Sequence, residues 1–224
     1  MNKYTGKSVF GGIAIGKIMV YEKGEHQVKR VKITDAEAEK NRYYEAVEIA
    51  FKQLGELHDK ALREVGEANA AIFEIHQMML EDDDYNESIE NIIHMQQVNA
   101  EYAVAVTGDN FAEMFANMDD EYMQARTADI IDLSGRVIRI LLNLPDVNFF
   151  KRKNIVLYKY ILTPSEIIEL DSDIISAAVS YHGNRHSHSA ILARAMNIPG
   201  ITDINEDIRN FSGKLAVVDA DAGK

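Results

Sequence analysis

No proline interrupts residues 1–144, and that constrains the fold more than any other feature of the chain. Proline removes a backbone donor and clashes with the preceding helical turn, so its absence lets long helices run unbroken. Thr34-Asp35-Ala36-Glu37 forms a capping box, with Thr34 as N-cap and Glu37 three residues on. Behind it Tyr43, Val47, Ala50, Leu54, Leu57 and Ala61 recur at helical spacing. That pattern predicts a helix from about 35 to 65. Further helices are expected over about 68–80, 83–96, 100–117 and 120–143. Helices with one apolar stripe each bury it by packing on one another, so this region reads as a bundle.

The flanks read differently. Phe10 to Gly16 reads as a turn and Lys17 to Tyr21 as a short strand. Pro145 marks a second change. Ile155 to Tyr158 is a β-branched and aromatic run, and Thr163-Pro164-Ser165-Glu166 is a helix start with proline in its first turn. Ile174 to Ser180 is a strand candidate. A short helix is expected over Ala190 to Met196, stopped by Ile198-Pro199-Gly200, and Leu215 to Asp219 closes the series as a strand. Alternating strand and helix indicates a small α/β unit, which the N-terminal strand can join. The expectation is a mixed α/β (α+β) fold. Residues 1–22 and 146–224 form a discontinuous α/β domain, and an all-α bundle is inserted over 23–145. The final Asp219 to Lys224 reads as a break within a longer protein.

Composition narrows function. A net charge of −12 argues against nucleic acid, whose phosphates need clustered Lys and Arg, and favours a basic protein partner. The plainer reading is that acidity keeps the protein soluble. With zero cysteines there is no disulfide, thiolate metal site or cysteine nucleophile, which fits a reducing cytoplasm. Neither a signal peptide nor an apolar run of membrane-spanning length is apparent.

The chemistry concentrates in His182-Gly183-Asn184-Arg185-His186-Ser187-His188, which holds three of the seven histidines. Neutral imidazole is nucleophilic near neutral pH and can carry a phosphoryl group covalently. The helix start that follows favours negative charge, and Arg185 or Arg194 can add to it. Ser187 or Ser189 can orient the ring or cap the helix. His182, His186 and His188 could instead ligate zinc, although no carboxylate stands in the loop. On composition alone, surface histidines of no special role remain a third reading.

Gly183 to Arg194 resembles the phosphohistidine motif shared by Enzyme I of the bacterial sugar phosphotransferase system, pyruvate phosphate dikinase and phosphoenolpyruvate synthase. That motif places its acceptor histidine on His188. Gly11 to Lys17, Ala71 to Asp82, Asp119 to Arg126 with Ala128-Asp129, and Leu162 to Glu166 resemble segments of Enzyme I, the phosphoenolpyruvate–protein phosphotransferase. The resemblance covers essentially the whole chain and selects the N-terminal half of that family.

The resemblance implies a swivelling phosphohistidine α/β domain with an inserted helical domain that docks the carrier protein HPr. It implies a cytoplasmic phosphotransferase acting in sugar uptake. His188 takes a phosphoryl group from phosphoenolpyruvate and passes it to HPr, with Ser187, Arg194 and His186 around it. Phosphoenolpyruvate and Mg²⁺ belong to a C-terminal barrel outside this chain, so no metal or cofactor is expected here. The family dimerises through that barrel, so this chain is expected as a monomer. Positions matching the docking surface are Glu67, His76, Met78, Met79, Asp82, Asp84, Phe115, Met123 and Arg126. Apolar anchors ringed by carboxylates suit a basic partner. Plainer readings stand beside these: Met78 and Met79 as core, Asp82 to Asp84 as a helix cap, and His76 as a packing histidine. Three positions depart from the family pattern. Asn184 replaces a glycine, His186 a threonine, and Ile167 a threonine near the acceptor. They leave open a non-catalytic HPr-binding paralogue as the alternative.

Overall fold

A computed structural model describes residues 2–21, 28–144, 153–170 and 173–224. Pro145, read as a boundary, lies outside the described residues. The chain divides into two compact units. One holds Met1–Gly24, Met118–Ala128 and Val147–Lys224, and the other holds Glu25–Asn117 and Asp129–Asp146. Met118–Ala128, expected within the helical insertion, groups instead with the α/β unit.

The helical unit contains α1 (Ala36–Val65), α2 (Glu67–Leu80), α3 (Asp83–Gln96) and α4 (Ala100–Ala116). The long helix is present, with its cap one residue later than expected. Asp35, not Thr34, is the N-cap, and its carboxylate accepts from Ala38 N at 3.0 Å. A carboxylate also suits the positive end of the helix better than a hydroxyl. Tyr43, Ala50, Leu54 and Ala61 are buried along one face, as their spacing predicts. Arg42 from α1 ties to Glu39 and to the buried Glu101 of α4, and it also donates to Leu141 O at 3.0 Å.

The expected helix over 120–143 is two helices, α5 (Glu121–Gln124) and α6 (Thr127–Leu141). Asp120 caps α5 by accepting from Tyr122 N at 2.7 Å. The break at Ala125-Arg126 lacks glycine and proline, which is why the sequence conceals it.

In the α/β unit a six-stranded sheet has the order β1 (Lys7–Phe10), β5 (Gly200–Thr202), β4 (Ile175–Ser180), β3 (Ile155–Lys159), β2 (Ile13–Val20) and β6 (Leu215–Asp219). The four central strands are parallel, and the edge strands β1 and β6 pair antiparallel. The turn expected over Phe10 to Gly16 shrinks to Gly11-Gly12, and β2 begins at Ile13. Gly12 has φ +132°, a conformation that glycine adopts without strain. Val156, Tyr158, Ala177 and Val179 centre the buried core of this unit, with Ala14, Ile18 and Val218 from the edge pair.

Two short helices follow the central strands. α7 (Pro164–Glu169) follows β3, and α8 (His188–Ala195) follows β4 and packs on α7. This places the histidine loop beyond the carboxyl ends of parallel strands, where sites in α/β sheets are usually built.

Candidate active site

The loop leaves β4 at Ser180 and is anchored on both sides. Ser180 Oγ and Thr202 Oγ1, both buried, share a hydrogen bond at 2.9 Å. Gly183 lies against this pair and donates its N–H to Asp203 Oδ1 at 3.1 Å. A Cβ on Gly183 would stand 2.2 Å from Thr202 Oγ1 and 3.2 Å from Ser180 Oγ. Gly183→Ala must therefore push apart a buried hydrogen-bonded pair. We expect it to cost about 1–3 kcal/mol by urea unfolding, the usual range for overpacking. An unchanged unfolding midpoint would contradict that fit.

On the other side, Tyr181 N donates to Lys159 O at 3.0 Å and His182 N to Tyr160 O at 2.8 Å. Tyr160 stacks on Tyr181 with centroids 5.5 Å apart, and His182 meets both rings edge-on. The loop base also rests on an ion pair that sequence reasoning did not find. Lys159 Nζ reaches both Glu166 oxygens at 2.6 and 2.7 Å, and the Glu166 carboxylate accepts from Thr163 N at 3.2 Å. The expected α7 capping signal was legible in Thr163-Pro164-Ser165-Glu166. The lysine partner was not, because it arrives from the preceding strand.

Asn184 Oδ1 accepts from His186 N at 2.8 Å, and Asn184 O accepts from Ser187 N at 3.0 Å. Asn184 is not among the described residues with positive φ. The side-chain bond, not backbone tolerance, makes this turn. α8 begins two residues before the expected Ala190. Ser187 is its N-cap and accepts from Ala190 N at 3.2 Å, with Ser189 Oγ at 2.9 Å. Ser187→Ala should cost about 1 kcal/mol of stability in thermal or chemical unfolding, as lost caps do.

His188 is therefore the first residue of α8 and is half-buried, whereas His182 and His186 are exposed. The positive end of the helix dipole stabilises negative charge brought to this position. Arg194 is turned to the backbone: Nη1 donates to Arg185 O at 3.0 Å and more weakly to Val9 O at 3.4 Å. Burial, followed by the like charge of Arg185, lowers the Arg194 pKa, yet guanidinium remains a cation at neutral pH. The bond to Arg185 O ties the loop to α8. Ile167 is buried in α7 and carries no hydroxyl.

The docking candidates divide between the units. Glu67, Asp82 and Asp84 are exposed, Met78 is 65% exposed, and Met79 and Phe115 are half-buried, so Met78 is not core. Asp82 caps α3 by accepting from Tyr85 N at 2.9 Å, and its carboxylate still faces solvent. Met123 and Arg126 are half-buried in the other unit, where the Arg126 guanidinium stands 5.5 Å from the Tyr122 ring centroid. His76 is corrected as a contact residue because it is fully buried. Its Nε2 lies 3.6 Å from Asp129 Oδ1 and its Nδ1 4.0 Å from Asp132 Oδ2. It points into the helical unit toward these two carboxylates and is not on the surface.

Among the described residues no group of three or more His, Cys, Asp and Glu could hold a metal ion, and the loop histidines form none. Among the described residues no helix is long and apolar enough to cross a membrane.

Residues 5–126 match the family described as PEP-utilising enzyme, N-terminal, and residues 150–223 match PEP-utilising enzyme, mobile domain. The chain belongs to the PEP-utilising enzymes. The chain is 35% identical to the phosphoenolpyruvate-protein phosphotransferase of Haemophilus influenzae, over 93% of its own length and 37% of that protein's. The Priestia megaterium protein of the same name is 36% identical over 96% of this chain and 38% of its own length. The chain thus spans little more than a third of these relatives. A solution structure of Enzyme I is similar at TM-score 0.71 and 30% identity, covering 99% of this chain and 91% of that one. An N-terminal domain of nitrogen Enzyme I, at TM-score 0.62 and 23% identity, shares the fold. Within the mobile-domain match stand His188, Ser187 and Asn184.

Proposed function

We propose that this chain is the phosphoryl-carrying portion of an Enzyme I. In this reading His188 accepts a phosphoryl group and passes it to the histidine of HPr. The observation that carries the reading is the placement of His188 as the first residue of α8, directly after the Ser187 cap. In the transfer from phospho-HPr, a lone pair of the neutral His188 imidazole attacks phosphorus. The new P–N bond forms as the P–N bond of the donor histidine breaks, and the departing pair stays on the donor ring. One P–N bond replaces another, so the step runs in either direction. The dipole of α8 stabilises the phosphoryl oxygens without rearrangement.

HPr docking through Met78, Met79, Asp82, Asp84, Glu67 and Phe115 of the helical unit belongs to the same proposal, and Met123 and Arg126 of the α/β unit are separate candidates for HPr contact. Exposed carboxylates beside apolar anchors favour a basic partner. His76, fully buried in α2, is left out of the docking surface. The relatives' name makes phosphoenolpyruvate the first donor, and we assign its binding, with Mg²⁺, to the part of those relatives outside the match. We place the protein in the cytoplasm, consistent with its zero cysteines.

The test is incubation with phospho-HPr, following phosphate that is acid-labile and base-stable, the signature of a P–N bond. Label on His188 supports the carrier reading. HPr binding without label supports a non-catalytic paralogue instead.

A further inference from the structure

Asn184 makes one contact that the loop itself does not need. Its Nδ2 donates to Glu121 O at 3.0 Å, and Glu121 is the first residue of α5. Both residues belong to the same compact unit. The other end of the amide, Oδ1, accepts from His186 N at 2.8 Å. These two bonds also fix the amide orientation, since a flipped group would set N–H against N–H and oxygen against oxygen. The side chain is half-buried, so both bonds are partly shielded from water.

Few side chains meet both demands. Glycine supplies neither bond. Aspartate supplies the acceptor but no donor, and sets a negative charge against the Glu121 carbonyl oxygen. Two residues beyond His186 the chain enters α8 at His188, so the backbone held by Asn184 is the backbone that aims the ring. On its other side α5 is held as a unit by the Asp120 cap, and Gln124 Nε2 donates to Met118 O at 2.7 Å.

We infer that Asn184 is a positioning residue, an amide clamp that sets the entry of His188 into α8 by tying the histidine loop to α5. The inference rests on the phosphoryl-carrier reading for its effect on transfer, but the clamp itself is observable in the unphosphorylated protein.

The experiment compares wild type with Asn184→Gly and Asn184→Asp. Exchange of the His186 amide hydrogen and the ring nitrogen shifts of His188 are read by NMR. Transfer from the phosphorylated carrier is read as kcat per folded molecule, separately from KM. In Asn184→Gly the His186 amide should exchange about tenfold faster, the effect of one lost hydrogen bond. Asn184→Asp should keep that protection, because its acceptor remains. Both variants should shift the His188 ring signals and lower kcat by about tenfold, as misplacement of a reacting group does. A residue that merely stabilised the fold would change the unfolding midpoint and leave kcat per folded molecule intact. Wild-type kcat and ring shifts in Asn184→Asp would overturn the tie to α5. If the wild-type protein takes no phosphate, the carrier reading fails. The clamp is then judged by exchange and ring shifts, and unchanged values in both variants would overturn it.

Discussion

Replacing His188 with alanine should abolish phosphate uptake from phospho-HPr, by at least about a thousandfold, while leaving the protein folded. Removing a covalent nucleophile costs far more than removing a group that only assists it. Alanine has no lone pair to form the P–N bond. His182 and His186 should not replace it, because they are exposed in the loop and precede the Ser187 cap. Stability should change little, since His188 is half-buried and alanine is a strong helix former. Label uptake should therefore vanish without a matching shift in the unfolding midpoint. Label persisting in His188→Ala would assign the chemistry to another histidine.

Glu166→Ala should destabilise the α/β unit by about 3 kcal/mol, because it strands one partner of a shielded ion pair. Glu166 is 1% exposed and Lys159 retains 17% side-chain exposure, so neither charge has full hydration to fall back on. The same substitution deprives Thr163 N of its acceptor at the start of α7. Glu166→Gln keeps an acceptor for Thr163 N, and with Lys159→Met it also removes the half-buried cation. That double variant should recover most of the loss, because a matched neutral pair avoids an uncompensated charge. Urea unfolding of wild type and these two variants checks this. Equal stability of Glu166→Ala and wild type would show that the pair contributes nothing.

What the sequence revealed follows from how far each signal reaches along the chain. α1, α2, α3 and α4 were legible because helical spacing is local and no proline interrupts it. The division between α5 and α6 was not, since Ala125-Arg126 carries no breaker and Asp120 and Thr127 both suit helix starts. β1 and β5 escaped because strands of four and three residues leave no room for alternation; pairing with each other and with β4 defines them. The phosphohistidine motif located His188, but the start of α8 depended on which serine caps it. Ser187 does so, with its Oγ on Ala190 N. His76 could not be distinguished from a surface contact, because Asp129 and Asp132, which surround it, lie more than one helix away in sequence. Asn184 read as a blemish in the motif. Its partner Glu121 is 63 positions distant, so its use was visible only once the chain was folded.

The central claim is that His188 carries the phosphoryl group, and intact-mass analysis after incubation with phospho-HPr tests it most directly. A mass gain of one phosphoryl group, localised by fragmentation to His188 and lost on brief acid treatment, is the expected result. No mass gain, or a phosphoryl group found on His182, His186 or any other residue, would contradict it.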